Sequence, residues 1–309
     1  MEEKQNMSEE KLAVIIDGSS FIFRAFFACP PMKSNDGRSV GAVHGFCSML
    51  ISQLCKHNSD TFCVAMDSGR QTFRLEMYPQ YKANRVSMPD DLRQQMPLMQ
   101  EACAAFGLPT LAQPGIEADD LIASYSNILS NKGYKVRIVG IDKDLLQLLS
   151  DKVEIYNPIK EKVVTKEDVI KKYGVTPDQM IDFQALVGDT ADNVPGVAGI
   201  GPVTAAKLIN TYGSISNIYA NVNTITPQKL KEKLLTHKED AELSKKLVTL
   251  KKDVKIFDIF PSIKLDYKHE KAHNFLTSLG FNSLIHRMYK TSFYAKSSAS
   301  FLQHYNEML

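Results

Sequence analysis

Three short apolar runs in the first half of the chain each end in an aspartate. They read LAVIID to Asp17, TFCVAMD to Asp67 and KVRIVGID to Asp142. Their length and β-branched content give them strand character, and helical patterns over 41–57, 90–106 and 117–131 separate them. Strands that alternate with helices build βα units around a parallel sheet. In such a sheet the ligand site lies beyond the carboxyl ends of the strands, so all three aspartates are expected along one edge. Asp144 follows in IDKDLLQLL, two residues past Asp142. Taken singly, each acid is an ordinary helix N-cap. Three strands that end alike point to a shared site.

A second acidic feature is GIEADDLIASY, residues 115–125, with Glu117, Asp119 and Asp120 inside four positions. Leu121, Ile122, Tyr125, Ile128 and Leu129 follow at helical spacing, so the acids open a helix with a buried face. A first turn welcomes negative charge. Three acids together still repel unless a cation or bound protons compensate.

Residues 188–201 read GDTADNVPGVAGIG. Asp189 and Asp192 are three apart, within reach of one helical face or turn. Gly196, Gly199, Ile200 and Gly201 then lead into a helical stretch with Thr204 and Lys207. A Gly-rich turn that opens a helix presents backbone N–H groups to a phosphate. No strand precedes it, which excludes a dinucleotide fingerprint. A helix–hairpin–helix at about 189–212 that grips a nucleic-acid backbone fits better than a neutral turn.

Between these acids lies RQTFRLEMYPQYKANRVSMPDDLR, residues 70–93. Arg70, Arg74, Lys82, Arg85 and Arg93 alternate with Phe73, Tyr78 and Tyr81, a mixture suited to phosphate contact and base stacking. The segment follows Asp67 directly, so it must lie beside the acidic edge. The net charge of +2 conceals this layout: of 35 acids, nine are the candidate ligands Asp17, Asp67, Glu117, Asp119, Asp120, Asp142, Asp144, Asp189 and Asp192, and the other 26 face 37 Lys and Arg. An acidic centre on a basic body suits metal-dependent chemistry on a polyanion.

The remaining features are those of an ordinary soluble globular chain of 309 residues, 44% hydrophobic and 23% charged. The polar residues 1–11 are expected to be disordered and carry no secretory signal. No apolar run reaches the length of a membrane span. Cys29, Cys47, Cys55, Cys63 and Cys103 form no CxxC pair and read as free thiols of a reducing compartment. The pattern changes near residue 158. A short VVT segment and helical stretches at 165–173 and 177–187 open a mostly helical region, and 269–289 add a last helix or two. Residues 291–309 read as a tail or linker.

The motifs IIDGSSFIFRAFFA, TFRLEMYPQYKANR, GIEADD, DKDLLQLL and GDTADNVPGVAGIGPVTAAKLI, in this order, resemble the 5′-nuclease (flap endonuclease-like) domain of bacterial DNA polymerase I. The likeness runs from about residue 12 to about 289. It implies an α/β fold: a PIN-like (resolvase-like) parallel-sheet nuclease core over 12–174, with a basic arch at about 70–93. A helical domain with the helix–hairpin–helix follows over 175–290. It implies 5′-3′ exonuclease and flap endonuclease activity on DNA, in replication and repair, leaving a 5′-phosphate and a 3′-hydroxyl.

It further implies two Mg²⁺ or Mn²⁺ ions. By motif, Asp17, Asp67, Glu117 and Asp119 match acids nearer the first ion, and Asp142, Asp144 and Asp192 those nearer the second. Asp120 and Asp189 match outer positions that act through water. Lys82 and Arg85 match basic residues that contact the scissile phosphate. Arg70, Arg74, Tyr78, Tyr81, Gly196, Gly199, Ile200, Gly201, Thr204 and Lys207 are the expected DNA contacts, and in the family the hairpin can also hold a K⁺ ion. The implied partners are 5′ flaps and nicked or branched duplex, RNA–DNA hybrid, and a DNA polymerase in cis or in trans. The implied state is a cytoplasmic, nucleoid-associated monomer. Leu75 and Met66 depart from the family pattern at positions that are not ligands. Three rival readings are a junction-binding module that does not cut, a PIN-type ribonuclease and a small-molecule phosphohydrolase. The complete acid set opposes the first, the hairpin and arch the second, and the basic excess the third.

Overall fold

A computed structural model describes residues 11–255 and 265–290. The expected disordered segment 1–11, apart from Lys11, and the expected tail 291–309 lie outside the described residues. The chain runs through β1 (Leu12–Asp17), α1 (Gly18–Ala28), α2 (Gly41–Lys56) and β2 (Thr61–Ala65). Next come α3 (Phe73–Met77), α4 (Asp90–Ala105), β3 (Thr110–Leu111), α5 (Ala118–Asn131) and β4 (Lys135–Val139). β5 (Val153–Asn157) and β6 (Lys162–Val164) complete one six-stranded sheet of order β3-β2-β1-β4-β5-β6. The first five strands are parallel, and β6, the expected VVT segment, pairs antiparallel with β5 at the edge.

β1 and β2 are buried on both faces, which is why their sequences are continuous apolar runs and not alternating ones. The period of two still sorts their side chains. Ala13 and Ile15 face α5, while Val14 and Ile16 face α1, α2 and α4.

The helical region comprises α6 (Lys166–Tyr173), α7 (Met180–Val187), α8 (Pro202–Tyr212), α9 (Ile215–Ala220), α10 (Gln228–Thr236) and α11 (Lys238–Val248). Its Ile200, Ile209, Ile218 and Leu234 join the same apolar cluster as Ile15, Ile138 and Leu121. It is therefore a layer continuous with one face of the sheet.

The last two helices, α12 (His269–Ser278) and α13 (Asn282–Tyr289), do not belong to that layer, contrary to the expected 175–290 unit. Their Leu276, Phe281, Leu284 and Met288 enter the cluster of Val14, Phe46 and Met99 on the opposite face. The return is fixed by backbone bonds: Leu265 N–H donates to Asp60 O at 2.8 Å and Asp266 N–H to Gly107 O at 3.1 Å. Gly107 has φ +66°, and a Cβ there would lie 2.1 Å from Asp266 O, so this crossing requires glycine. The apolar stripe of 269–289 shows that something covers it; which face of the sheet does so depends on these distant contacts. No helix among the described residues is long and apolar enough to cross a membrane.

Candidate metal centre and nucleic-acid interface

The parallel strands bring the acids to one edge, as their spacing requires. Asp17 ends β1 and caps α1, accepting from Ser20 N–H at 3.0 Å. Asp67 lies two residues past β2, and its Oδ1 accepts from Ala118 N–H at 2.9 Å, which joins that strand end to the first turn of α5. Asp142 follows β4, and its Oδ1 accepts from Asp144 N–H at 2.9 Å. Asp119 sits in the first turn of α5. Among the described residues, none of Asp17, Asp67, Asp119, Asp142 and Asp144 forms an ion pair.

Burial and mutual repulsion raise three of these carboxyls. Burial pushes the Asp17 carboxyl up to about 6, against the pull of the Ser20 hydrogen bonds, and the charges of Asp142 and Asp67 add to it. Burial, then the charges of Asp142, Asp17, Asp144 and Asp67, raise Asp119 well above the carboxylate range. Asp144 is pushed up to about 7 by burial and by Asp142, although a hydrogen bond from Gln184 opposes the rise.

The loop after α7 supplies the second set. Gly188 (φ +74°) and Gly196 (φ +63°) pack backbone to backbone, so that a Cβ on Gly196 would lie 2.4 Å from Gly188 N. Between them Asp189 and Val194 exchange hydrogen bonds of 3.0 and 2.8 Å. Asp189 and Asp192 therefore stand in a tight loop and not on a helical face. Carboxylate oxygens of Asp144, Asp189 and Asp192 all lie within 4.8 Å of one another. Lys143 Nζ pairs with Asp189 at 3.1 Å.

The basic segment docks onto this loop. Lys82 N–H donates to Asp192 O at 2.9 Å, Asn84 Nδ2 to Thr190 O at 2.6 Å and Asn193 Nδ2 to Gln80 O at 2.7 Å. Lys82 takes the left-handed conformation (φ 55°), which is uncommon for a residue with a Cβ. That geometry carries its Nζ to 2.6 Å from Glu117 and 3.7 Å from Asp192, while Arg85 pairs with Asp192. Burial would lower the Lys82 ammonium, but Glu117 and Asp192 outweigh it and hold it charged. Burial likewise raises the Glu117 carboxyl, and Lys82 and Arg74 outweigh that and lower it. Thr72 Oγ1 donates to the other Glu117 oxygen at 3.0 Å.

Several expectations need correction. Arg74 is 1% exposed and cannot reach DNA. It makes a bidentate pair with Asp120, at 2.5 and 2.9 Å, and donates to the carbonyls of Leu247 and Thr249. Asp120 is 0% exposed and also accepts from Lys251 N–H at 2.8 Å, so both of its oxygens are already engaged within the protein. Tyr81 is buried, and its hydroxyl lies 3.3 Å from both Glu117 and Asp192, so its ring is no stacking platform. Tyr78 is half-buried against Val194 and Leu247. Ile200 is core, and Gly196 N–H donates to Ser244 Oγ at 2.9 Å. Arg70, Gly199, Gly201 and Lys207 are exposed and Thr204 is half-exposed, so these positions stay open to a ligand.

Thr72, Asn84 and Asn193 also hold the site together, and nothing in the sequence sets them apart from their neighbours. Gln184 left one signal, an amide inside the apolar helix MIDFQALV. Leu75 and the buried Met66 both line a cavity of about 530 Å³ beside Glu117, together with Phe23, Arg70 and Val86.

The site is thus a carboxylate-lined edge of the sheet, flanked by a basic loop and a helical hairpin layer. Residues 12–174 match the 5′-3′ exonuclease N-terminal resolvase-like domain, and residues 175–270 its C-terminal SAM fold. The 5′-3′ exonuclease of Aquifex aeolicus is 44% identical over 234 residues, 76% of this chain and 80% of that one. DNA polymerase I of Rhizobium leguminosarum is 41% identical over 283 residues, 89% of this chain but only 28% of the polymerase. The phage T5 D15 flap endonuclease, solved as a pseudo-enzyme–product complex with DNA and metal ions, superposes with a TM-score of 0.63 at 22% identity. That superposition covers 91% of this chain and 98% of the phage protein. The chain belongs to the 5′-3′ exonuclease family.

Proposed function

We propose that this chain is a structure-specific 5′ nuclease that hydrolyses DNA phosphodiesters at 5′ flaps and nicked or branched duplex, using two divalent cations. The observation that carries the reading is the row of five carboxylates without an ion pair, beside Lys82 and Arg85. The donors are all hard oxygens, as Mg²⁺ or Mn²⁺ requires, and burial with neighbouring negative charge holds Asp17, Asp119 and Asp144 above the ordinary carboxylate range, a charge deficit that such cations fill.

Asp17, Asp67 and Asp119, with Glu117, would hold one ion. Asp142, Asp144 and Asp192, with Asp189, would hold the other. Bound there, such ions supply a water of lowered pKa and offset charge on the leaving oxygen. Lys82 and Arg85 stand over the same edge and would bind the scissile phosphate, offsetting the charge that grows on it. Glu117 and Asp192 orient those two cations until a phosphate takes them. The exposed N-terminus of α8, with Gly199, Gly201, Thr204 and Lys207, would hold duplex phosphates, and Arg70 the strand near the cavity.

K⁺ is not part of the proposal, because Gly199 O already accepts from Lys233 Nζ at 3.0 Å. Removal of primers or flaps beside a DNA polymerase, in cis or in trans, follows from the kinship with polymerase I. RNA–DNA hybrids are then a further substrate, and the cytoplasm, at the nucleoid, is the place of action. A monomer suffices, since one chain carries every group invoked.

The test uses a 5′-labelled flap on a nicked duplex. Mg²⁺-dependent cleavage near the junction that EDTA abolishes is expected. Tight binding without cleavage, even in Mn²⁺, would leave a junction-binding protein instead.

A further inference from the structure

Gln184 is 2% exposed on α7, one turn before the loop that carries Asp189. An amide is costly to bury unless both of its ends find partners. Here only one end does. Nε2 donates to Asp144 Oδ1, while Oε1 is buried and meets no donor among the described residues. Turning the amide over would set its oxygen against the Asp144 carboxylate, so the observed orientation is the favourable one. The backbone adds rigidity: Gly188 N–H donates to Gln184 O at 2.8 Å, which fixes α7 directly against the acidic loop.

We infer that Gln184 is a positioning residue for the cation held by Asp144, Asp189 and Asp192. Its Nε2 donates to Asp144 Oδ1 and so holds that carboxylate in place for the cation. The inference rests on the reading that these three acids hold a divalent ion. Partners that orient metal ligands in this way commonly change affinity by about 10–100-fold when removed. A purely structural glutamine in an apolar helix would affect folding and not metal affinity.

The experiment is titration of the metal-free full chain with Mn²⁺, followed by calorimetry and by electron paramagnetic resonance, with the metal-free melting temperature read alongside. Two variants test the donor. Q184M keeps the volume and loses the donor, so about tenfold or weaker binding of one Mn²⁺ is expected. Q184E keeps the shape but also loses the N–H that holds Asp144, so weaker Mn²⁺ binding than in the wild type is expected there too. Unchanged affinity in Q184M overturns the inference. Should Q184M fail to fold, Q184E decides alone, and wild-type binding there is the overturning result. A wild-type chain that binds no Mn²⁺ removes the metal reading itself, which separates that failure from this one.

Discussion

The acidic edge divides into two halves that solve the same electrostatic problem differently. In one half the protein supplies its own cations. Asp120 has Arg74, Glu117 has Lys82, and Asp192 has Arg85. In the other half, Asp17, Asp67, Asp119, Asp142 and Asp144 have no basic partner among the described residues, and three of them are held well above the ordinary carboxylate range. The difference shows where charge must come from solution. Proximity in sequence is a poor guide to the division, since Asp119 and Asp120 are neighbours on α5 and fall in opposite halves.

The largest expected effect lies in the paired half. R74M leaves Asp120 as a fully buried charge with no counter-ion, and breaking such a pair costs about 3–5 kcal/mol. Urea unfolding of R74M and of R74M/D120N measures it, with the double variant recovering part of the loss. A loss below about 1 kcal/mol would rank the pair with exposed surface bridges.

The unpaired half predicts the opposite balance. D119N removes a repelling charge, so the metal-free fold is expected to be at least as stable as the wild type. Cleavage should fall by about 10²–10³-fold or more, the scale of losing one preorganised electrostatic group. D142N is expected to behave alike, with DNA binding in EDTA retained. A D119N chain that cuts flaps normally in Mg²⁺ would remove Asp119 from the ion site.

Titration sharpens the contrast further. The folded values of about 6 for Asp17 and about 7 for Asp144 exceed the ordinary 3.8. Between about pH 4 and 7 the folded chain therefore holds more protons at these sites than the unfolded chain. The stability they contribute is present at low pH and is lost as pH rises through 6 to 7. A divalent cation replaces those protons, so the rise in melting temperature on adding Mg²⁺ should be larger at pH 8 than at pH 5.5. Calorimetry at both values checks this, and an equal rise at both would mean the ion does not compete with these protons.

Much of this was legible in the sequence, and the reasons are specific. Asp17, Asp67 and Asp142 could be placed together because a parallel sheet puts every strand end on one edge. The pairing of Arg74 with Asp120 could not be read, because it joins residues 46 apart and is completed by carbonyls beyond residue 246. Arg74 and Lys82 look alike as cations in one basic segment. Burial alone separates them, and burial is a property of the packed chain. The same limit hid α12 and α13, whose apolar stripe is clear but whose partner face is chosen by contacts with Asp60 and Gly107.

The division extends to the hairpin, where it gives the smallest expected effect. Gly199 has φ +77°, and a Cβ there would lie 2.5 Å from Lys233 Nζ, so the lysine lies across the turn and donates to its carbonyl at 3.0 Å. A side-chain ammonium thus occupies the oxygen that a free monovalent cation would use, as Lys82 does for Glu117. Duplex binding by the wild type should then be equal in KCl and NaCl at matched ionic strength. K233M loses one cation near the phosphate backbone, so binding should weaken about fivefold, equivalent to about 1 kcal/mol. Its salt slope should fall by about one unit. The carbonyl it frees should make binding tighter in KCl than in NaCl. Fluorescence anisotropy of a labelled duplex in EDTA reads all three. A wild-type preference for KCl would show that Lys233 yields the carbonyl to a free ion, and the hairpin would move to the half of the molecule that draws its cations from solution.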